Sequence, residues 1–190
     1  MNDIVNFLKS RRSVSIRNLE SRSIPPDDLE QIIECGVRVP DHGILSPWRI
    51  KIIQGDARKR IGEEILEPEF KMVNPEASDK VLKIERERFL RAGAVIAVIS
   101  KISTHPRIPD WEMQLSCGAV CQNILTASLA LGYGAQWVTE WYSENEKLLE
   151  HLGGDVWNDR FAGFIYVGST STTPIERRRA PVEEIIDYVQ

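Results

Sequence analysis

The stretch from Ala94 to Ser100 is apolar at every step up to its final serine. A strand with one wet face alternates apolar and polar residues, so an unbroken apolar run describes a strand buried on both faces. Such a strand needs a layer of helices on each side, and the chain can supply them. Ile24-Pro25-Pro26-Asp27-Asp28 opens one helix, because prolines and acids belong in a first turn, and Leu29, Ile32, Ile33 and Gly36 form its buried stripe. A longer helix, from Trp111 to Leu131, can be capped by Asp110 and is ended by Gly132-Tyr133-Gly134. It is apolar or small round most of its circumference from Leu115 onward, so it is expected to be central and largely buried.

The remaining elements follow by the same reading. Asp3 to Ser10 is a short helix with Ile4, Phe7 and Leu8 on one face, and 49–54 is a strand, followed by a helix from Ala57. Pro68 and Pro75 bracket an irregular stretch, and 76–91 is a charged helix whose charges read as a solvated face. Strands are expected at 135–141 and 161–168, with a helix at 144–152 between them, and 182–189 reads as a short helix or a last strand. Strict strand–helix alternation is not sustained, so a small sheet covered by helices on both faces leaves the class open between α/β and α+β. The 190 residues suit a single domain, 1–190, without repeats or linkers.

Several function classes drop out. No Gly-x-Gly-x-x-Gly follows a strand, and no phosphate loop, serine elbow or His-Glu-x-x-His occurs. A net charge of −4 disfavours nucleic acid and anionic membranes as partners. The apolar region 118–131 is interrupted by Gln122, Asn123, Thr126 and Ser128, which is too polar for a membrane span. The N-terminus lacks the pattern of a signal peptide. Three cysteines, an odd number, point to reduced thiols and a cytoplasmic location. Cys117 and Cys121 stand one helical turn apart with no third ligand nearby, so no metal site is expected.

The residues able to carry chemistry are few. Arg11-Arg12-Ser13 offers two guanidinium forks and a hydroxyl directly after a short helix, a set that suits a small anion. Arg177-Arg178-Arg179 is a second concentration of positive charge in an acidic chain, and Arg177 and Arg179 would point the same way if that segment is extended. Between helix and strand lies the loop Arg38-Val39-Pro40-Asp41-His42-Gly43-Ile44-Leu45-Ser46-Pro47-Trp48-Arg49, polar and held at both ends by regular structure.

Taken together, Arg11-Arg12-Ser13, the Pro40-Asp41-His42 loop with Pro47-Trp48-Arg49, and the Arg-x-Arg-x-Pro near the end resemble the nitroreductase family, most closely the short YdjA-type NAD(P)H nitroreductases. The resemblance implies an α+β sandwich with a mostly antiparallel central sheet flanked by helices. It also implies a homodimer with FMN bound at the subunit interface. In that frame Arg11, Arg12 and Ser13 hold the FMN phosphate and ribityl chain, while Arg177 and Arg179 supply a second basic pair to the phosphate. Arg38, Pro40, Asp41 and His42 approach the flavin from the other subunit, and Trp137, Val138 and Thr139 lie with their backbone against the isoalloxazine. Ser15 stands where the family often has a basic residue, and Trp137-Val138-Thr139 replaces a Trp-Arg-Ser pattern.

The implied activity is that of an FMN-dependent NAD(P)H oxidoreductase, with hydride passing to flavin N5 and electrons then to a small acceptor such as a nitroaromatic or quinone. No side chain is required as acid or base, although His42 is the one residue that could also donate a proton. A non-catalytic FMN-binding module of the same fold and a basic-patch nucleic-acid binder stand as alternatives. Bound flavin and its reduction by NAD(P)H discriminate them.

Overall fold

The computed structural model describes residues 3–190; Met1 and Asn2, which belong to the expected 1–190 domain, lie outside the described residues. Helix α1 (Asp3–Ser10) is followed by α2 (Pro26–Gly36), strand β1 (Trp48–Gln54), α3 (Asp56–Ile61) and α4 (Glu67–Val73). Then come α5 (Asp79–Arg86), β2 (Ala94–Lys101), the long α6 (Asp110–Ala130), β3 (Gly134–Val138), α7 (Glu146–His151) and β4 (Asp159–Gly168). The four strands form one sheet in the order β1-β2-β4-β3, and every pairing is antiparallel. The class left open by residue patterning is therefore α+β.

The apolar run sits in the middle of that sheet, and its side chains divide between two cores because alternate residues of a strand face opposite ways. Val95, Ala97 and Ile99 join Phe164 and Tyr166 of β4 on the face covered by Ile61, Ile65, Leu66, Phe89, Tyr142, Leu148 and Leu149. Ala94, Ile96 and Val98 join Ile165 and Val167 on the other face, against Leu29 and Ile32 of α2 and Val120, Cys121, Ile124 and Leu125 of α6. Helices α2 and α6 touch closely: a Cβ at Gly36 would lie 2.5 Å from Ile124 Cγ1.

Several expectations need correction. The stretch bracketed by Pro68 and Pro75 is not irregular for most of its length: α4 runs on to Val73, joined to α3 by a π-helical turn, Gly62–Leu66. The charged helix is shorter than 76–91, ending at Arg86 and followed by a 3₁₀ turn, Arg88–Arg91. Its charges are not simply solvated: Glu85 is buried, with both carboxylate oxygens 2.6 Å from Arg88 nitrogens. Helix α6 packs one face on the sheet and α2, but Trp111 and Leu115 stay exposed, with nothing among the described residues covering them. At the C-terminus the only regular element is a 3₁₀ turn, Val182–Glu184, and no last strand forms.

Candidate functional site

The segment after α1 runs along the free edge of β3. Val14 N–H donates to Ala135 O at 3.0 Å, and Ile16 N–H donates to the Gln136 side chain at 2.8 Å. This alternation buries Val14 and Ile16 and leaves Ser13 and Ser15 facing water. Arg11 and Arg12 are thereby fixed at the end of α1. Arg12 is fully engaged: Nη1 caps the helix by donating to Lys9 O at 2.8 Å and Arg11 O at 2.7 Å. Its Nε donates to Glu176 Oε1 at 2.8 Å and its Nη2 to Glu176 Oε2, a fork-on-carboxylate pair that ties the tail to the N-terminal segment.

Arg11 is not engaged. Its Nη1 is buried without a hydrogen-bond partner. Burial, then the positive charges of Arg12 and Arg179, push its pKa down. A cluster of three guanidinium groups, one with an orphaned buried nitrogen, is electrostatically complementary to an anion. Of the two tail arginines, Arg179 thus acts on the cluster directly. Arg177 donates its backbone N–H to Glu176 Oε1 at 2.9 Å, placing it beside the same carboxylate.

On the same edge strand, Trp137 is aimed by its neighbour strand. Its Nε1 donates to Ala162 O at 3.2 Å. A Cβ on Gly163 would fall 2.1 Å from that nitrogen, and Gly163 takes φ 148 at the point where β4 bulges against β2. Val138 packs on the core, and Thr139 opens onto a cavity of about 450 Å³ floored by Leu149, Val156 and Phe161.

Glu140 follows at once and is clamped from the helical side. Arg88 Nη1 donates to Glu140 Oε2, and Arg91 Nη2 lies 3.2 Å from both Glu140 oxygens and 3.3 Å from the Tyr166 hydroxyl. Trp141 Nε1 donates to Glu85 at 2.8 Å, and the Tyr142 and Tyr166 hydroxyls share a hydrogen bond of 2.7 Å. The carboxylates raise the pKa of Arg88 and, with Tyr166, that of Arg91, against the lowering effect of burial. This buried network escaped sequence reading. Its partners lie far apart in the chain, and its only local signal is the three-residue spacing of Glu85 and Arg88.

The Pro40-Asp41-His42 loop lies elsewhere, leading into β1. Asp41 organises it, accepting from Leu45 N–H at 3.1 Å and Ser46 N–H at 2.9 Å. Gly43, Ile44 and Ser46 all have positive φ, so the loop is held in a strained shape. Helix α6 anchors it: Ser116 Oγ donates to Pro40 O at 2.9 Å, and Asn123 Nδ2 donates to Arg38 O at 3.1 Å. His42 is exposed and its Nδ1 lies 2.7 Å from Glu112 Oε2, a partner that the sequence did not flag. The Arg38 guanidinium has no partner among the described residues.

Two groups of site residues result, and one chain does not bring them together. Arg11, Arg12, Ser13, Ser15, Trp137, Val138, Thr139 and Arg179 gather at the β3 edge. Arg38, Pro40, Asp41 and His42 stand in the connection that leads into β1, the strand at the opposite edge of the sheet from β3.

Comparison with known proteins places this arrangement. The nitroreductase family model matches residues 8–169. "Putative NAD(P)H nitroreductase YdjA" of Escherichia coli is 28% identical over 167 residues, covering 88% of this chain and 88% of the relative. A solved nitroreductase-like family protein from Bacillus cereus superposes with a TM-score of 0.82 at 25% identity, covering 100% of this chain and 97% of that one. A Bacteroides fragilis nitroreductase solved with bound FMN shares the fold, with a TM-score of 0.71 at 21% identity and 100% coverage of both chains.

Proposed function

The chain belongs to the nitroreductase family, and on that premise we propose that it is an FMN-dependent NAD(P)H oxidoreductase acting as a homodimer of a single domain. The observation that carries the reading is the orphaned, buried Arg11 Nη1 beside Arg12 and Arg179. Three guanidinium groups converging on one spot fit a phosphomonoester, whose oxygens accept several charge-assisted bonds at once. The Bacteroides fragilis relative, solved with FMN, supports the choice of phosphate carrier.

FMN, when bound, supplies the two-electron chemistry between NAD(P)H and a small acceptor such as a nitroaromatic or quinone. The chain's residues bind and orient. Arg11, Arg12, Ser13 and Arg179 hold the phosphate end, with Arg177 and Ser15 at its margin. Trp137, Val138 and Thr139 present the edge of β3 to the ring, stiffened from behind by the Glu140 clamp. In a homodimer the second chain's Arg38, Pro40, Asp41 and His42 complete the site. Exposed apolar faces favour that assembly: Val5 and Leu8 on α1, Trp111 and Leu115 on α6, and Val182, Ile185 and Ile186 in the tail. His42, exposed and with Nδ1 2.7 Å from Glu112 Oε2, is the side chain of the Pro40-Asp41-His42 loop proposed to donate a proton during turnover.

The test is the visible spectrum of the purified protein before and after anaerobic NADPH or NADH, with sedimentation to read the oligomer. Flavin bands that bleach, in a dimer, are expected. Bands that persist with both reductants would mean a binding module, and no flavin even after FMN is added would overturn the reading. Turnover undiminished in His42→Ala would remove that residue's proposed role.

A further inference from the structure

The Glu176 carboxylate sits where an anion would. It accepts from Arg12 Nε and Nη2 and from the Arg177 backbone N–H at 2.9 Å, three donors converging on one negative group. Hydrogen bonding by Arg12 pulls its pKa down, with the Arg177 N–H and the charges of Arg12 and Arg179 adding to the effect. The two partners are placed very differently. The Arg12 side chain is only 19% exposed, while that of Glu176 is 66% exposed. The guanidinium is therefore part of the framework, capping α1 through its other nitrogen, whereas the carboxylate comes from outside.

Within its own chain the segment that carries it is lightly held. Beyond Ser169, the other hydrogen bond tying it to the rest of the chain is Thr170 Oγ1 to Asn18 O, and Ile175, next to Glu176, is 91% exposed. Swinging Glu176 away would break no core packing. Nor does Glu176 complete the cluster, because Arg11 Nη1 remains without a partner while the carboxylate is in place.

We propose that Glu176 is an internal competitor for the cofactor's phosphate: a tail carboxylate that occupies Arg12 in the flavin-free chain and is displaced when a flavin phosphomonoester enters. This inference rests on the FMN reading above. A phosphate wins because it brings more charge than one carboxylate and reaches Arg11 and Arg179 as well as Arg12. The tail then gates loading of the site: a flavin that carries the phosphate must displace Glu176, whereas one that lacks it leaves the Glu176–Arg12 pair in place.

The experiment compares flavin-free wild type, Glu176→Gln and, as a control elsewhere in the tail, Glu183→Gln. FMN and the phosphate-free probe riboflavin are titrated by quenching of flavin fluorescence. The expected result is FMN affinity about threefold to fivefold tighter in Glu176→Gln, the size of an exposed ion pair no longer to be broken. Riboflavin affinity should be the same in all three proteins, and Glu183→Gln should match wild type for both ligands. Equal or weaker FMN binding by Glu176→Gln overturns the proposal, since Glu176 would then be neutral or a support for Arg12. Equal tightening for riboflavin also overturns it, because the effect would not lie at the phosphate. If no protein of the set binds either flavin, the FMN reading itself falls, an outcome distinct from the other two.

Discussion

Two arginine clusters lie on this small protein, and they are built to opposite specifications. Arg88 and Arg91 are enclosed by Glu85, Glu140 and Tyr166; every carboxylate faces a guanidinium, and both arginine pKa values are raised. Of Arg11, Arg12 and Arg179 only Arg12 holds a carboxylate, an exposed one; a buried Arg11 nitrogen is unmatched among the described residues, and Arg11 has its pKa lowered. A cluster that satisfies itself is part of the framework. A cluster that does not is waiting for something the chain lacks. Charge alone does not separate the two; the balance of partners does.

The sharpest way to break this contrast is to remove a carboxylate from each cluster. Glu85→Ala leaves Arg88 and the Trp141 indole N–H short of a partner in a buried setting, at an expected cost of about 3–5 kcal/mol in urea unfolding. Glu176→Ala, which removes a solvent-facing carboxylate from the other cluster, should leave the unfolding midpoint where it is. Similar losses in both variants would show that the clusters are alike and that the tail is a structural clasp.

Removing an arginine sharpens the same comparison through binding. Arg11→Ala takes away the guanidinium with the orphaned nitrogen, so the flavin-free protein should lose no stability. FMN affinity should fall by about tenfold to a hundredfold, the worth of one charge-assisted bond to the phosphate. A variant that unfolds as readily as Glu85→Ala, yet binds FMN normally, would reverse the assignment of the two clusters.

Much of this was legible in the sequence, and the reason for the rest is physical. The run from Ala94 to Ser100 dictated a strand covered on both faces, because an unbroken apolar pattern has no other stable home in a water-exposed chain. Pro26 with Asp27 and Asp28 marked the start of α2 through local chemistry alone. Arg11 and Arg12 stood out by residue type as a concentration of positive charge, and the fold leaves a buried Arg11 nitrogen unmatched there among the described residues. What local pattern could not supply was the pairing. Glu85 reads as one more charge on a solvated helix until Trp141, 56 residues later, reaches it across the fold and Glu140 reaches its partner Arg88. Glu176 meets Arg12 across 164 residues. The π-helical turn at Gly62–Leu66 was hidden because Pro68 looks like a breaker unless the helix before it is already known to continue. The exposed Leu115 face of α6 shows the converse, an apolar surface that reads as core but is left uncovered by its own chain.

The smallest effect, and the most specific, lies in the pH dependence of the unsatisfied cluster. Glu176 has a depressed pKa in the folded chain, so its pairing with Arg12 is complete above the ordinary carboxylate range and is lost as the pH falls through the depressed value. The FMN phosphate gives up one charge near pH 6, but it does so equally against wild type and Glu176→Gln. The ratio of the two FMN dissociation constants therefore cancels that titration and isolates the carboxylate. It should hold at about threefold to fivefold from pH 8 to about pH 5. It should then decline toward one as the pH falls through the depressed pKa and protonated Glu176 ceases to compete. The measurement is the same fluorescence titration, restricted to the pH range in which both proteins keep their far-ultraviolet circular dichroism. A ratio that stays constant to the acid limit would mean that the bulk of the Glu176 side chain, and not its charge, obstructs the phosphate. A ratio of one throughout would leave the two arginine clusters distinguished only by burial.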